Sequence, residues 1–161
     1  MGIEIERKFL LSSDAWRALG VPVRYTQGYL NCAPGRTVRV RIAGDRAYLT
    51  IKGPPHNLAR AEFEYEVPID DARYMLEHLC ERPLIDKTRR RIPAGAHVFE
   101  VDEFFGDNAG LVVAEVELQH ASEPFERPTW LGVEVTSDPR YSNSSLVRLP
   151  YSKWPDQPGR R

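Results

Sequence analysis

Charged and apolar residues alternate one for one over many short stretches of this chain, and that alternation is its dominant pattern. Ile3-Glu-Ile-Glu-Arg-Lys8 sets Glu4, Glu6 and Lys8 at period two. On a β-strand successive side chains point to opposite faces, so these three groups share one face, with Cα atoms of like parity about 6.5–7 Å apart. Thr37-Val-Arg-Val-Arg-Ile42 places Arg39 and Arg41 opposite Val38, Val40 and Ile42, and Tyr48-Leu-Thr-Ile-Lys52 adds Lys52. Arg60-Ala-Glu-Phe-Glu-Tyr-Glu66 sets Arg60, Glu62, Glu64 and Glu66 in phase. Lys87, Arg89 and Arg91 follow, then Glu100 with Asp102, then Glu115 with Glu117. The spacing predicts strands at about 3–10, 23–31, 36–43, 46–52, 60–68, 84–92, 97–104, 111–119 and 131–136. Turn chemistry separates them at Pro34-Gly35, Gly44-Asp45, Gly53-Pro-Pro55, Pro93-Ala-Gly95 and Gly106-Asp-Asn-Ala-Gly110. Gly44-Asp45 between two alternating strands is the clearest hairpin signal.

Period 3.6 occurs in few places. After Pro68-Ile69, with Asp70 as N-cap, Ala72, Met75, Leu76, Leu79 and Cys80 form one apolar stripe and predict a helix packed on the sheet. A second helix is expected over Ser13 to Leu19, presenting Trp16 and Leu19, and a short one over Ser142 to Leu149. Residues 1–154 read as a single domain and 155–161 as a flexible tail. The class is mainly β (α+β), an antiparallel sheet system or barrel.

The charged strand faces are sorted by sign, some basic and some acidic, whereas a wet sheet face normally mixes charges with Ser, Thr and Gln. If these faces point outward, the apolar faces fill a dry interior and the helices have little to cover. If they point inward, the interior must be hydrated, its charges opposed in sign and joined by bound ions, because an isolated charge in a dry core costs up to tens of kcal/mol. Periodicity alone does not choose between the two.

The 161 residues are 42% hydrophobic and 28% charged, with no apolar run near the roughly 18 residues of a membrane span. The first residues have neither the basic start nor the apolar run of a secretory signal, which points to the cytoplasm. Lys and Arg total 22 against 23 Asp and Glu, and the net charge of −1 argues against a general nucleic-acid binder. Cys32 and Cys80 are too few for a disulfide framework and read as thiols. His56, His78, His97 and His120 lack metal-ligand spacing, and the chain has no P-loop. Trp16, Trp130 and Trp154 read as packing residues.

Glu4-Ile-Glu-Arg-Lys-Phe-Leu10 resembles the N-terminal E-x-E-x-K signature of the CYTH domain, the family of triphosphate tunnel metalloenzymes. Thr37-Val-Arg-Val-Arg41, Thr50-Ile-Lys-Gly53, Arg60 to Glu66, Lys87 to Arg91, Val101-Asp-Glu-Phe104, Ala114 to Leu118 and Leu131 to Thr136 resemble its later blocks in order, and Tyr141-Ser-Asn-Ser144 its terminal motif. The resemblance covers about residues 3–147. It implies an eight-stranded antiparallel β-barrel forming a tunnel with a charged lumen, flanked by a few helices, and it selects the inward arrangement. The short single-domain form looks most like the bacterial inorganic triphosphatases.

The resemblance also implies roles. Glu4, Glu6, Glu62, Glu64, Glu115 and Glu117 are expected to hold one or two divalent ions, Mg²⁺ or Mn²⁺, which take hard oxygen ligands. Arg39, Arg41, Lys52, Lys87 and Arg89 are expected to grip phosphate oxygens, with Arg60 and Arg91 as alternates that equally suit counter-ions of nearby carboxylates. Lys8, together with Tyr29, is expected to orient the terminal phosphate or the attacking water, or else to balance the charge of the carboxylates beside it. Asp102 and Glu134 are expected to be supporting tunnel acids. The implied reaction is metal-dependent hydrolysis of tripolyphosphate to pyrophosphate and phosphate. Adenylate cyclase, a nucleoside or thiamine triphosphatase, and a polyphosphate-binding module without turnover are the alternatives. The expected partner is a small-molecule triphosphate, with neither nucleic acid nor membrane, and a homodimer is possible.

Overall fold

The computed structural model describes residues 2–157, and nine strands in it form one antiparallel sheet. They are β1 (Gly2–Leu11), β2 (Val23–Asn31), β3 (Thr37–Ala43), β4 (Arg46–Lys52), β5 (Ala59–Val67), β6 (Ile85–Ala94), β7 (His97–Phe104), β8 (Val112–Glu117) and β9 (Leu131–Glu134). The order β5-β4-β3-β2-β6-β7-β8-β1, with β5 pairing back onto β1, closes eight strands into a barrel. The ninth, β9, lies at the seam. Phe9 pairs with both Ala114 of β8 and Glu134 of β9, so β9 occupies the side of β1 that β5 holds further down, at Gly2 to Ile5.

Closure gives every strand one inner and one outer face, which is why alternation is so regular. The two-residue Gly44-Asp45 turn joins β3 and β4, with Ala43 facing Arg46 and Gly44 at φ 62°. Pro93, expected in a turn, is instead part of β6 opposite Val98. The β2 partner of β6 ends at Arg89, so the edge on that side is free where proline lacks its N–H.

Apolar outer faces are covered by three clusters. Phe9, Phe99, Val101, Ala114 and Val116 pack with Trp16 and Trp130. Helix α1 (Ile69–His78) lays Ala72 and Leu76, with Cys80 just beyond it, onto Val40 and Ala47. A Cβ on Gly28 would sit 2.7 Å from Leu84 and 2.8 Å from Cys80, so only glycine lets β2 pass beneath that layer. The third cluster joins Ile85, Phe104 and Val113 to Tyr141, Leu146, Tyr151 and Trp154, packing helix α2 (Asn143–Arg148) and the residues after it against the barrel.

Three helical expectations change. Helix α1 starts two residues early, at Ile69, with Pro68 rather than Asp70 in the cap position, and Leu79 falls beyond its end and is 57% exposed. Over Ser13 to Leu19 only the 3₁₀ turn Ala15–Ala18 forms; it buries Trp16, while Leu19 follows the turn in extended backbone and stays exposed. Ser142 caps α2 by accepting from the Ser145 N–H, so it stands outside the helix. Of the expected tail, residues 158–161 lie outside the described residues.

Candidate active site

Strand register sorts the lumen into two walls. On β3, β2 and β6, Arg39 faces Tyr29, Arg41 faces Gln27, and Tyr25 faces Lys87. On β5, β1 and β8, Glu4 faces Arg60, Glu6 faces Glu117, and Lys8 faces Glu115. β4 and β7 stand between the walls, with Lys52 opposite Glu62, Thr50 opposite Glu64, and Arg89 opposite Asp102. The cavity between the walls, of about 260 Å³ and open to solvent, is lined by Glu4, Glu6, Lys8, Tyr29, Arg39, Arg41, Lys52, Arg60, Glu62, Glu64, Arg89, Glu115 and Glu117, all expected there, together with Thr37, Glu100 and Ser142 to Ser144.

Lys87, Arg91, Asp102 and Glu134 stand off this cavity. Lys87 is fully buried behind it, bonded to Asp102 at 2.8 Å and to Asn143 Oδ1 at 3.0 Å. Asp102, also fully buried, accepts two further bonds from Arg89 at 2.7 and 2.8 Å, so it fixes the basic residues from behind. Arg91 is displaced to an outer mouth, its side chain 64% exposed and paired with Glu100 at 2.6 Å. Glu134 corrects the expectation of a tunnel acid. Opposite Phe9 it shares the outer face and takes a forked pair of bonds from Arg7 at 2.6 and 2.8 Å.

The basic wall is held in place by partners. Arg39 Nη2 donates to Thr50 Oγ1 at 3.2 Å, and Thr50 donates on to Glu64 at 2.9 Å. Arg39 Nε is buried with no hydrogen-bond partner, an unused donor beside the lumen. Arg41 donates through Nε to Gln27 Oε1 at 2.8 Å. Burial and the neighbouring Arg39 and Arg89 lower the Arg41 guanidinium to about 9. Burial likewise pushes Lys87 down to about 7 against the pull of Asp102, with Arg89 and Arg41 adding to the push. Burial opposes the charge of Asp102, yet Arg89 and Lys87 hold its carboxyl well below the usual range.

Charge is less balanced on the acidic wall. Lys52 bonds both Glu4 oxygens, at 2.9 and 3.0 Å, and Lys8 bonds Glu6 at 2.8 Å. Burial raises these two carboxyls, but Lys52 brings Glu4 below its ordinary value and Lys8 brings Glu6 to about 2. For Lys8, burial is outweighed by Glu115, Glu6 and Glu4, which raise its pKa. Glu62, Glu115 and Glu117 go the other way. Burial raises each, and repulsion from Glu4 acts on Glu62 and Glu117 and from Glu6 on Glu115. Lys8 stands between Glu6 and Glu115, 2.8 Å from one carboxylate and 3.4 Å from the other, and is the cation that these two share within the protein.

Hard oxygen donors crowded until burial and repulsion raise three of their carboxyls suit Mg²⁺ or Mn²⁺ by their chemistry. Among the described residues no three carboxylates surround one point as a complete cage.

The sequence pattern assigns no site role to Gln27, Thr50, Asn143 or Glu100. Each carries a signal in hindsight: Gln27 is in phase with Tyr29, Thr50 with Lys52, Glu100 with Asp102, and Asn143 lies inside the Tyr141 to Ser144 block.

The CYTH domain profile matches residues 2–151. The chain is 47% identical over 154 residues to an inorganic triphosphatase of Acetivibrio thermocellus, an alignment covering 96% of this chain and 99% of the relative. It is 38% identical over 151 residues to an inorganic triphosphatase of Nitrosomonas europaea, covering 89% and 96%. The crystal structure of the inorganic triphosphatase NE1496 superposes with a TM-score of 0.63 and 32% identity, over 89% of this chain and 96% of that one. A putative adenylate cyclase from Bacillus halodurans superposes with a TM-score of 0.57 over 74% and 83%, but at 17% identity it shows the fold alone.

Proposed function

The chain belongs to the CYTH domain family, and from that premise we propose that it hydrolyses inorganic triphosphate to pyrophosphate and phosphate with the help of Mg²⁺ or Mn²⁺. The observation that carries this reading is a cavity whose basic and acidic walls face each other, which fits a polyanion held together with its counter-cations. Tyr29 is the one aromatic side chain lining it among the described residues, and an inorganic chain needs no base to be stacked.

In this reading Arg39, Arg41, Lys52 and Arg89 hold phosphate oxygens, with Arg60 at the rim. Lys87 and Asp102 hold Arg89 and Asn143 from behind. Glu4, Glu6, Glu62, Glu64, Glu115 and Glu117 offer their carboxylates to the ion. When bound, a divalent ion polarises phosphoryl oxygens and lowers the pKa of water bound to it. Lys8, with Tyr29, orients the terminal phosphate or the water. The water oxygen bonds to the terminal phosphorus, the bond to the bridging oxygen breaks, and pyrophosphate leaves with that electron pair. Little covalent work falls to the protein, so positioning and charge stabilisation dominate. The enzyme acts as one domain over residues 1–154 in the cytoplasm; among the described residues no helix is long and apolar enough to cross a membrane.

A second reading, a triphosphate carrying an organic group, draws on an adjoining cavity of about 380 Å³. Pro34, Pro55, Leu58 and Pro139 line it beside Glu4, Glu6 and Lys8. Phosphate release from tripolyphosphate, ATP and thiamine triphosphate, with each ion and with chelator, tests both. Fastest ion-dependent release from tripolyphosphate is expected. Faster release from either ester favours the second reading, cyclic AMP as product overturns hydrolysis, and binding without release overturns turnover altogether.

A further inference from the structure

We infer that Gln27 is a positioning residue for phosphate binding: as a neutral partner, it holds Arg41 in the basic wall with its charge left uncompensated. The inference deepens the proposed function and rests on it for the identity of the ligand.

Gln27 is fully buried at the centre of β2, in the inner column Tyr25, Gln27, Tyr29 between the cations of β3 and β6. Its Oε1 accepts from Arg41 Nε at 2.8 Å, and its Nε2 donates to Asn143 Oδ1 at 2.9 Å. That same Asn143 oxygen accepts from Lys87 Nζ at 3.0 Å. The two ends of the relay fix both amide orientations, because guanidinium and ammonium groups only donate. Each amide therefore turns a carbonyl oxygen toward a cation. Two amides on different elements, β2 and α2, thus satisfy two cations without adding a negative charge.

Other basic groups on this side have ionic partners within 4.0 Å: Arg39 with Glu64, Lys52 with Glu4 and Glu62, Lys87 with Asp102, and Arg89 with Asp102, Glu100 and Glu115. Among the described residues Arg41 has none; besides Gln27 its contact is the Tyr25 ring, 4.9 Å from its Cζ. A carboxylate at position 27 would reach Arg41 equally well. An oxygen acceptor of either kind would orient the guanidinium, so what the neutral amide preserves is its charge. Gln27 engages Nε and so leaves the two Nη groups of a residue that lines the cavity to another acceptor. These are the donors of a bidentate phosphate contact.

The test is Gln27→Glu, which keeps the shape and changes the charge, alone and in an Arg41→Ala background. With tripolyphosphate and Mg²⁺, the single variant is expected to raise KM roughly ten- to hundredfold with kcat within about threefold. In the Arg41→Ala background it is expected to have no further effect, as two residues acting through one contact are not additive. An unchanged KM, or the same rise without Arg41, overturns the inference. If thermal unfolding shows that Gln27→Glu does not fold, Gln27→Met takes its place. It is expected to raise KM severalfold only when Arg41 is present, and a rise independent of Arg41 again overturns the inference. Calorimetric binding of tripolyphosphate separates the two claims. Wild-type binding without turnover sinks the hydrolase and leaves Gln27 to be judged by Kd, while turnover with unaltered variant affinity sinks Gln27 alone. Failure of the wild type to bind tripolyphosphate overturns both.

Discussion

On the basic wall most cations have a fixed partner: Asp102 clamps Lys87 and Arg89 with bonds of 2.7 to 2.8 Å, and Thr50 links Arg39 to Glu64. On the acidic wall Glu6, Glu115 and Glu117 crowd together with Lys8 as the cation at their side, and Glu62, Glu115 and Glu117 are raised by burial and mutual repulsion. The difference separates two kinds of buried charge. Charges neutralised within the protein belong to the folded scaffold and set positions. Surplus like charges keep the scaffold receptive to ions that arrive with the ligand.

The largest expected break in this contrast is Glu4→Gln combined with Glu6→Gln. Ion-dependent phosphate release should fall by about a thousandfold or more, the scale of losing metal and transition-state charge stabilisation together. Circular dichroism should show an intact fold; full activity in this variant would remove both residues from the ion site.

Asp102→Asn attacks the opposite wall. It leaves Lys87 and Arg89 buried without their carboxylate and is expected to cost about 3–5 kcal/mol in urea unfolding. The acid limb should change with it. Asp102 has a folded pKa below its ordinary 3.8, so its contribution is present above that value and is lost as pH falls. Stability of the wild type should therefore drop more steeply below pH 3.8 than that of the variant, and parallel profiles would contradict the clamp.

Loading the acidic wall is expected to give the next effect. At a hundredfold excess over Kd, Mg²⁺ or Mn²⁺ should stabilise the protein by about 2.7 kcal/mol, visible as a rise in Tm that chelator reverses. A carboxylate wall indifferent to divalent ions would undo the comparison. The smallest effect is expected for Arg91→Ala, since Arg91 sits at an outer mouth. Activity should stay within about twofold, inside the usual range for exposed ion pairs, and a larger loss would return Arg91 to the phosphate site.

Strands were legible because a barrel with a charged lumen forces every strand into strict alternation, and residues such as Arg39 or Glu115 advertise their face by charge. Which face pointed inward was not legible from periodicity, because Val40 opposite Arg41 reads the same in either sense. Gln27, Thr50 and Asn143 escaped notice because a neutral polar residue in an alternating strand, or at the start of a short helix, looks like any solvated position. Their importance comes from partners 11 to 116 residues away. Glu134 misled for a related reason. Its parity within β9 says nothing until the register with Phe9 is known, and a four-residue strand carries too little pattern to set it.

The three-way pairing of β1 also bears on how the molecule is assembled. Its first residues bond to β5, but Glu6 to Phe9 wait for β8 and the end of the strand for β9. Contacts between the first strand and the last ones have high sequence separation, which makes ring closure a slow and late event in folding. During synthesis, Glu4, Glu6 and Lys8 emerge before the strands that pair with them and line a formed lumen only once β8 is available. A nascent chain stopped before β8 lacks the partner of Glu6 and Lys8, so the capacity to hold a polyanion should arrive abruptly, in one step, with the final strands.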